Sequence, residues 1–325
     1  MIEDPVLSSD WHALLKSSDL REGSLAASRL LDEDLVLWRI NGRPHAWQDL
    51  CVHRGSKLSL GRIEGEKLVC AYHGWTYDED GMCVGFPAHP DQKPSRKALV
   101  KTYEASERYG LVWVRMNGGG ASSSAPPLFT EWDDPSYRKI FCGPYHYRAS
   151  APRAVENFLD VAHLPFVHSG LLGEESHAEI ADYKVEVTPR GITAKNVRIW
   201  QPDPDGTGVG KEVVYTYEVL RPLTMRLSKD TGEGRFSIFA TVTPVSQRES
   251  TVWMWLALNY AHEIPESQLR SFQDNITGQD VRVVESQRPE LLPLDLQAEL
   301  HLRSDRIAVA YRKWLRKLGL SFGTA

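Results

Sequence analysis

The chain has 325 residues, of which 42% are hydrophobic and 25% charged, and its net charge is −5. That length allows two domains, or one large one with ample core. The acidic balance argues against nucleic acid as the main partner, because phosphate binding calls for a basic face. No apolar run reaches the length of a membrane span, and the acidic N-terminus lacks a signal-peptide pattern, so a cytoplasmic protein is expected.

In chain order, a short opening helix is predicted to include Trp11-His12-Ala13-Leu14-Leu15. Alternating segments at 34–40 and 110–116 read as strands, and the many turn residues between them suit a small β-domain. Within it lie two short motifs, Cys51-Val52-His53-Arg54-Gly55 and Cys70-Ala71-Tyr72-His73-Gly74-Trp75, with sixteen residues between His53 and Cys70. Two thiolates on one iron and two imidazoles on the other are the ligands of a Rieske-type 2Fe-2S cluster. Short spacing inside each pair lets one tight loop present both ligands, and glycine lets the backbone take φ > 0 beside the sulfides. The plainer reading is structural zinc, which also accepts two Cys and two His. Zinc loops more often pair Cys with Cys and His with His, so the mixed order favours iron–sulfur. Cys83 and Cys142 remain, expected as reduced, packed thiols.

The run from Asn117 to Pro127 is rich in Gly, Ser and Pro and can bury little. Residues 1–117 are accordingly assigned to a first domain, 118–127 to a linker and 128–325 to a second domain. In the second, a helix is expected over 152–164, then strands near 183–188, 192–200, 212–220, 236–243 and 251–260. Helices near 263–288 and 297–318 follow. Strands followed by long helices suggest an antiparallel sheet covered on one face, an α+β arrangement. Gly206-Thr207-Gly208-Val209-Gly210 lies between strands and reads as a hairpin loop, since a phosphate cradle needs a following helix. Trp253-Met254-Trp255-Leu256 offers pocket lining or alternating core. Glu174, Glu175, His177 and Glu179 read as a solvated loop. Arg303, Arg306, Arg312, Lys313, Arg316 and Lys317 read as the solvated face of an amphipathic helix.

Asn157, Asp160 and His163 are three apart, near one face of the expected helix. Pro165 disfavours helix at Leu164, so the chain should turn and bring His168 back towards His163. Two imidazoles and one carboxylate form the facial triad of non-haem iron(II) oxygenases, with open positions for O2 and substrate. Asp160 is the local candidate for the carboxylate. Asp280 is the better one, because it shares a stripe with Ile276, Val283 and Val284, where an acid is costly unless paired or metal-bound. The alternative for Asp280 is a buried salt bridge to Arg282 or Arg153. Asn157 is either an outer contributor to the site or a surface amide.

Together these motifs resemble the Rieske non-haem iron oxygenases, catalytic α subunits, over nearly the full chain. Ser56 and Tyr72 stand where respiratory Rieske proteins carry an extra disulfide, which points to the ferredoxin and oxygenase branch. The Asn-Phe-Leu-Asp spacing at 157–160 resembles the monooxygenase and demethylase branch, whereas ring-dihydroxylating relatives usually have one more residue there. Glu107–Val114, Glu131–Pro135 and Ser304-Asp305-Arg306 are similar to the hydroxylases of saxitoxin biosynthesis. The resemblance implies an all-β Rieske domain followed by a helix-grip catalytic domain. It also implies a 2Fe-2S cluster on Cys51, His53, Cys70 and His73, and a mononuclear Fe(II) on His163, His168 and Asp280. It further implies a head-to-tail homotrimer in which Asp160 joins His73 of one subunit to His163 of the next. No flavin or nicotinamide motif stands out, so a separate reductase or ferredoxin must supply electrons. The expected reaction uses O2 to hydroxylate a C–H bond of a small aromatic or heterocyclic substrate, with O- or N-demethylation where that carbon is a methyl group. The other readings are an electron carrier without its own catalysis, a ring-dihydroxylating dioxygenase and a zinc protein.

Overall fold

The computed structural model describes residues 4–117, 125–204, 208–231 and 234–325. Most of the expected linker, 118–124, and part of the glycine-rich run 206–210 lie outside the described residues. The chain divides into two compact units, Met1–Pro126 and Pro127–Ala325.

The first unit opens with a short helix, α1 (Pro5–Ser8), capped by Asp4, whose side chain accepts from the Leu7 amide. Ten strands follow: β1 (His12–Lys16), β2 (Leu25–Leu30), β3 (Glu33–Ile40), β4 (Arg43–Gln48), β5 (Arg62–Glu64), β6 (Lys67–Val69), β7 (Thr76–Tyr77), β8 (Cys83–Gly85), β9 (Thr102–Arg108) and β10 (Leu111–Arg115). Segment 12–16 is therefore a strand, not the expected helix. It pairs antiparallel with β10, His12 opposite Val114, and this pairing outweighs the weak helical preference of Ala-Leu-Leu. A six-stranded sheet has the order β1-β10-β9-β4-β3-β2, and a four-stranded sheet the order β5-β6-β7-β8. Period-two alternation in β3 sends Leu35 and Leu37 into one core and Val36 and Trp38 into another. The second core also contains Cys51, Leu58, Leu68, Cys70 and Tyr77, so the small sheet is sealed against the large one beneath its two motif loops.

The second unit contains β11 (Arg138–Tyr147), α2 (Ala151–Leu159), α3 (Leu164–Val167), β12 (Lys184–Thr188), β13 (Gly191–Gln201), β14 (Lys211–Arg221), β15 (Thr224–Asp230), β16 (Arg235–Ser246), β17 (Glu249–Leu258), α4 (Glu266–Ser286) and α5 (Arg306–Leu318). Its strands form one antiparallel seven-stranded sheet, ordered β11-β17-β16-β15-β14-β13-β12. Helix α2 lies against β16 and β17 and meets α4 and α5, while α4 packs on β11. This is the expected α+β architecture. β11 and β15 were not anticipated: β15 carries Arg226, Lys229 and Asp230 among its buried residues, which hides its pattern. The last helix starts at Arg306 rather than near 297, preceded by a single 3-10 turn over Arg303–Asp305.

Arg312 does not belong to a solvated face, as expected above. It is 3% exposed, and its guanidinium grips Glu156 of α2 in a bidentate pair, Nε to Oε1 at 2.5 Å and Nη2 to Oε2 at 2.7 Å. Glu299 joins Arg312 at 2.5 Å and Arg153 at 2.7 Å, closing a network that ties α2 to α5. Burial pushes the Glu299 carboxyl up, but Arg153 and Arg312 bring it below the ordinary carboxylate range. The Glu299 contribution is therefore present above the unfolded carboxyl pKa and is lost as pH falls through the lowered value. Arg312→Met leaves buried carboxylates short of a partner and is expected to cost about 3 kcal/mol at neutral pH. Calorimetric melting should show that deficit, and it should narrow on acidification. An unchanged melting temperature would remove the network from the stability of this unit.

Candidate functional site

In the first unit, the two motif loops share one hydrogen-bonding pattern. The Gly55 amide donates to Cys51 O at 2.9 Å, and the Gly74 amide to Cys70 O at 3.0 Å. Each cysteine amide in turn donates back across its turn, Cys51 to Ser56 O and Cys70 to Trp75 O. Both glycines have φ of +69°, a conformation that disfavours a side chain, and a Cβ at Gly74 would lie 2.9 Å from Pro87. Cys51 and Cys70 are buried in one shared core. The His53 and His73 rings sit together, centroids 4.6 Å apart, with His53 stacked on Trp75. Thiols are thus paired with thiols and imidazoles with imidazoles, the division a Rieske cluster needs. His53 Nδ1 is buried with no hydrogen-bond partner. Such an orphan is costly in a closed protein and is what a ligand atom looks like without its metal.

The sequence offers Tyr77 only as part of the Trp75-Thr76-Tyr77 continuation of the second motif; the structure places its hydroxyl 3.1 Å from Cys51 Sγ. Burial and the neighbouring thiol hold this phenol well above its ordinary range, so it stays protonated as a donor. Hydrogen bonds to cluster sulfurs stabilise the reduced, more negative state and raise the potential. Tyr77→Phe is therefore expected to lower the cluster potential on the order of 50 mV, equivalent to about 1 kcal/mol for one electron. Redox titration checks this, and an unchanged potential would mean that no such bond reaches a ligand sulfur.

In the second unit, α2 ends at Leu159, earlier than expected, and Asp160 caps it in an extended conformation. His163 and His168 flank α3, a single turn that carries Pro165 near its N-terminus, where proline is tolerated. The break at Asp160 and this turn bring the two imidazoles together at a steep angle, Nε2 to Nε2 at 3.2 Å. From α4, Asp280 Oδ1 approaches His168 Nε2 at 3.1 Å and His163 Nε2 at 3.4 Å. Its remaining contact is Asn157 Nδ2 at 3.4 Å, so its partners include neither Arg282 nor Arg153. Of its expected stripe, Ile276 and Val284 are buried, whereas Val283 is 40% exposed.

These three donor atoms form a nearly equilateral triangle. A metal with bonds of about 2.1 Å at right angles separates its ligands by about 3.0 Å, so the triangle matches one face of an octahedron. Burial lowers the affinity of His163 for a proton, but its bond to Asp280 and the charge of Asp160 raise it above the ordinary value. Burial pushes the Asp280 carboxyl up, and the two histidines bring it below its usual range. Both directions have one meaning: the centre of this triangle favours positive charge, as an iron(II) site requires. Gln279, a residue not anticipated, accepts from His168 Nδ1 at 2.7 Å, which leaves the Nε2 lone pair facing the triangle. His163 Nδ1 is buried without a hydrogen bond, with Asp160 Oδ2 at 3.8 Å.

The triangle lies in a cavity of about 100 Å³ between the sheet and helices α2 and α4. A larger chamber of about 420 Å³ shares Leu172, Leu227, Ile238, Gln273 and Ile276 with it. One face of strand β17 lines both spaces, Met254 the inner cavity and Leu256, two residues on, the outer chamber. Trp253 instead donates to Thr243, and Trp255 packs on Trp132 and Phe141. The segment with Glu174, Glu175, His177 and Glu179 is largely exposed, and His177 stacks on Trp200.

Residues 10–104 match the Rieske [2Fe-2S] domain, and residues 147–321 match the vanillate O-demethylase oxygenase C-terminal domain. The methylxanthine N1-demethylase NdmA of Pseudomonas putida is 30% identical over 319 residues, covering 95% of this chain and 88% of that one. The chain belongs to the Rieske non-haem iron oxygenases. The vanillate O-demethylase oxygenase subunit of a Pseudomonas species is 27% identical, covering 89% of this chain and 95% of its own. The structure of NdmA from Pseudomonas putida CBB5 with caffeine superposes with a TM-score of 0.84 at 29% identity, covering 96% of this chain and 91% of the other. As a Rieske oxygenase the protein carries a 2Fe-2S cluster and a mononuclear iron. It is a monooxygenase-type oxidoreductase that hydroxylates a small molecule with O2 and electrons from a separate reductase or ferredoxin. The carrier-only reading is set aside. Among the described residues, no helix is long and apolar enough to cross a membrane.

Proposed function

We propose that this Rieske oxygenase is a demethylase of N- or O-methylated aromatic or heteroaromatic compounds, working as a cytoplasmic homotrimer. Residues 1–117 hold the cluster through Cys51, His53, Cys70 and His73. Residues 128–325, joined by the linker, hold the mononuclear iron through His163, His168 and Asp280. The observation that carries the reading is the triangle of donor atoms at the base of a largely apolar cavity. The similarity to N- and O-demethylases adds the reaction type.

Held by these residues, the cluster would supply single electrons and the iron would supply O2 activation. What the chain's own residues contribute follows from their placement. Asp280, drawn below its usual range, remains a carboxylate, and Gln279 keeps the His168 ring from rotating. Phe158, Leu164, Val252 and Met254 wall the inner cavity and keep water from the reacting methyl group. The Ala162 amide holds Asp160 Oδ1 at 2.8 Å, which leaves Oδ2 beside His163 Nδ1 on a side chain 43% exposed. His73 is exposed in its own unit, so a neighbouring subunit could bring it to Asp160. One shared carboxylate then fixes two imidazoles and gives the electron a short path.

In the balanced reaction, one methyl C–H, O2, two electrons and two protons give the hydroxymethyl product and water. A hydroxymethyl group on nitrogen or oxygen collapses to formaldehyde and the demethylated compound. Incubation with a reductase system, O2 and a panel of N-methylated heterocycles and methoxylated benzoates should release one formaldehyde per demethylated product. Hydroxylated products without formaldehyde across the panel would overturn demethylation and leave the hydroxylase chemistry in place.

A further inference from the structure

The outer chamber has a polar patch that the iron chemistry does not use. Its walls are otherwise apolar, with Phe236, Leu256, Leu258 and Phe272 among them. Strand pairing sets Tyr215 of β14 directly opposite Lys229 of β15, and Gln201 ends the neighbouring β13. All three side chains line the outer chamber and none lines the inner cavity. Gln201 is 1% exposed, and its Nε2 donates to the Tyr215 hydroxyl at 2.9 Å. Its Oε1 accepts from Lys229 Nζ at 3.3 Å. The ammonium lies 5.9 Å from the centre of the Tyr215 ring and 5.6 Å from that of Phe236.

The directions of these bonds matter. Because the tyrosine oxygen accepts from Gln201, its own proton must go elsewhere, and no described residue takes it. Burial holds this phenol well above its ordinary range, so the proton stays on. A buried O–H without an acceptor is costly, and a ligand that supplies the acceptor recovers that cost. The two acids of the lining, Asp203 and Glu263, are exposed, and Asp203 accepts from the Gly208 amide. Lys229 Nζ is itself bonded to Gln201 Oε1 and, at 3.4 Å, to Pro204 O. Inside the chamber a phenol donor thus stands beside apolar walls, an arrangement suited to a ring with an oxygen acceptor conjugated to it.

We propose that Tyr215, oriented by Gln201, anchors the substrate by donating to a ring carbonyl or carboxylate oxygen remote from the methyl group that is oxidised. Lys229, which bonds Gln201 Oε1 and Pro204 O, lies at that end and holds Gln201 in this orientation. The inference rests on the reading that methylated aromatic compounds occupy this cavity, and it narrows them to those bearing an oxygen acceptor.

Calorimetric binding to the holoenzyme tests this with four probes, and formaldehyde release is followed in parallel. Caffeine and 4-methoxybenzoate carry the acceptor, whereas N-methylindole and anisole lack a carbonyl or carboxylate. The wild-type protein should prefer at least one acceptor-bearing probe over its acceptor-free counterpart. Tyr215→Phe should weaken that probe about ten-fold and leave N-methylindole and anisole unchanged. With Lys229→Met, a loss greater for 4-methoxybenzoate than for caffeine supports a carboxylate as the acceptor, and an equal loss supports a ring carbonyl. Absence of any preference in the wild type, including failure to bind any probe, overturns the proposal. So does a Tyr215→Phe variant that weakens both classes alike, as structural damage would, or weakens neither. Acceptor-dependent binding without formaldehyde would leave the anchor standing and sink the demethylation reading.

Discussion

His168→Ala is expected to abolish product formation and to strip the mononuclear iron, while the two irons of the [2Fe-2S] cluster and their red-brown spectrum remain. His168 is 1% exposed, its Nε2 lies 3.1 Å from Asp280, and its other nitrogen is held by Gln279. Alanine removes one of three donors and leaves a hole that water can fill but that cannot restore an imidazole's affinity. The cluster lies on a separate compact unit, so its spectrum serves as a control for folding. Iron analysis with absorption spectroscopy makes the comparison, and full iron retention would remove His168 from the metal site. Gln279→Leu should act in the same direction but less strongly, weakening iron retention about 10- to 100-fold because only the ring's orientation is lost.

Asp160→Asn should leave both metals bound and still slow turnover about 10- to 100-fold. Asp160 is not one of the three converging donors, so iron content has no reason to fall. Its Oδ2 lies 3.8 Å from the buried Nδ1 of His163, which has no hydrogen bond of its own. The amide keeps the shape but removes the charge that can serve two imidazoles at once. The measurement is reoxidation of the pre-reduced cluster in the presence of O2 and substrate. Slow reoxidation with normal iron content is the expected signature, and wild-type turnover would refute the bridging role.

How much of this was legible beforehand differed with the distance along the chain. Each cluster motif is a few residues long and closes on itself through a glycine with φ of +69°, so its candidate ligands and their tight-loop geometry are open to inspection in the sequence. The histidine pair was nearly as accessible, although the expected helical face was wrong. The helix stops at Leu159, and it is this break together with the turn at Pro165 that brings Nε2 to Nε2. Asp280 was found by an argument about cost, an acid on an apolar stripe. Gln279 had no comparable signal, because a polar residue beside it on a helix is ordinary. Arg312 misled for the opposite reason: among neighbouring basic residues it looks solvated, yet it alone of that turn faces Glu156.

The sequence by itself carried the candidate ligand residues and the order of strands followed by helices, because these reside in residue identities and short spacings, while the electron-dependent reaction type followed from the family resemblance. Only the tertiary structure decided that segment 12–16 is a strand on the edge of β10, that α4 delivers Asp280 to the histidines, and that Tyr215 and Gln201 meet in one chamber wall. Local preferences are worth less than about 1 kcal/mol per residue, whereas a strand pairing or a buried contact between distant segments outweighs them. Such contacts exist only once the sheet has closed around its helices, and a reading along the chain does not contain them.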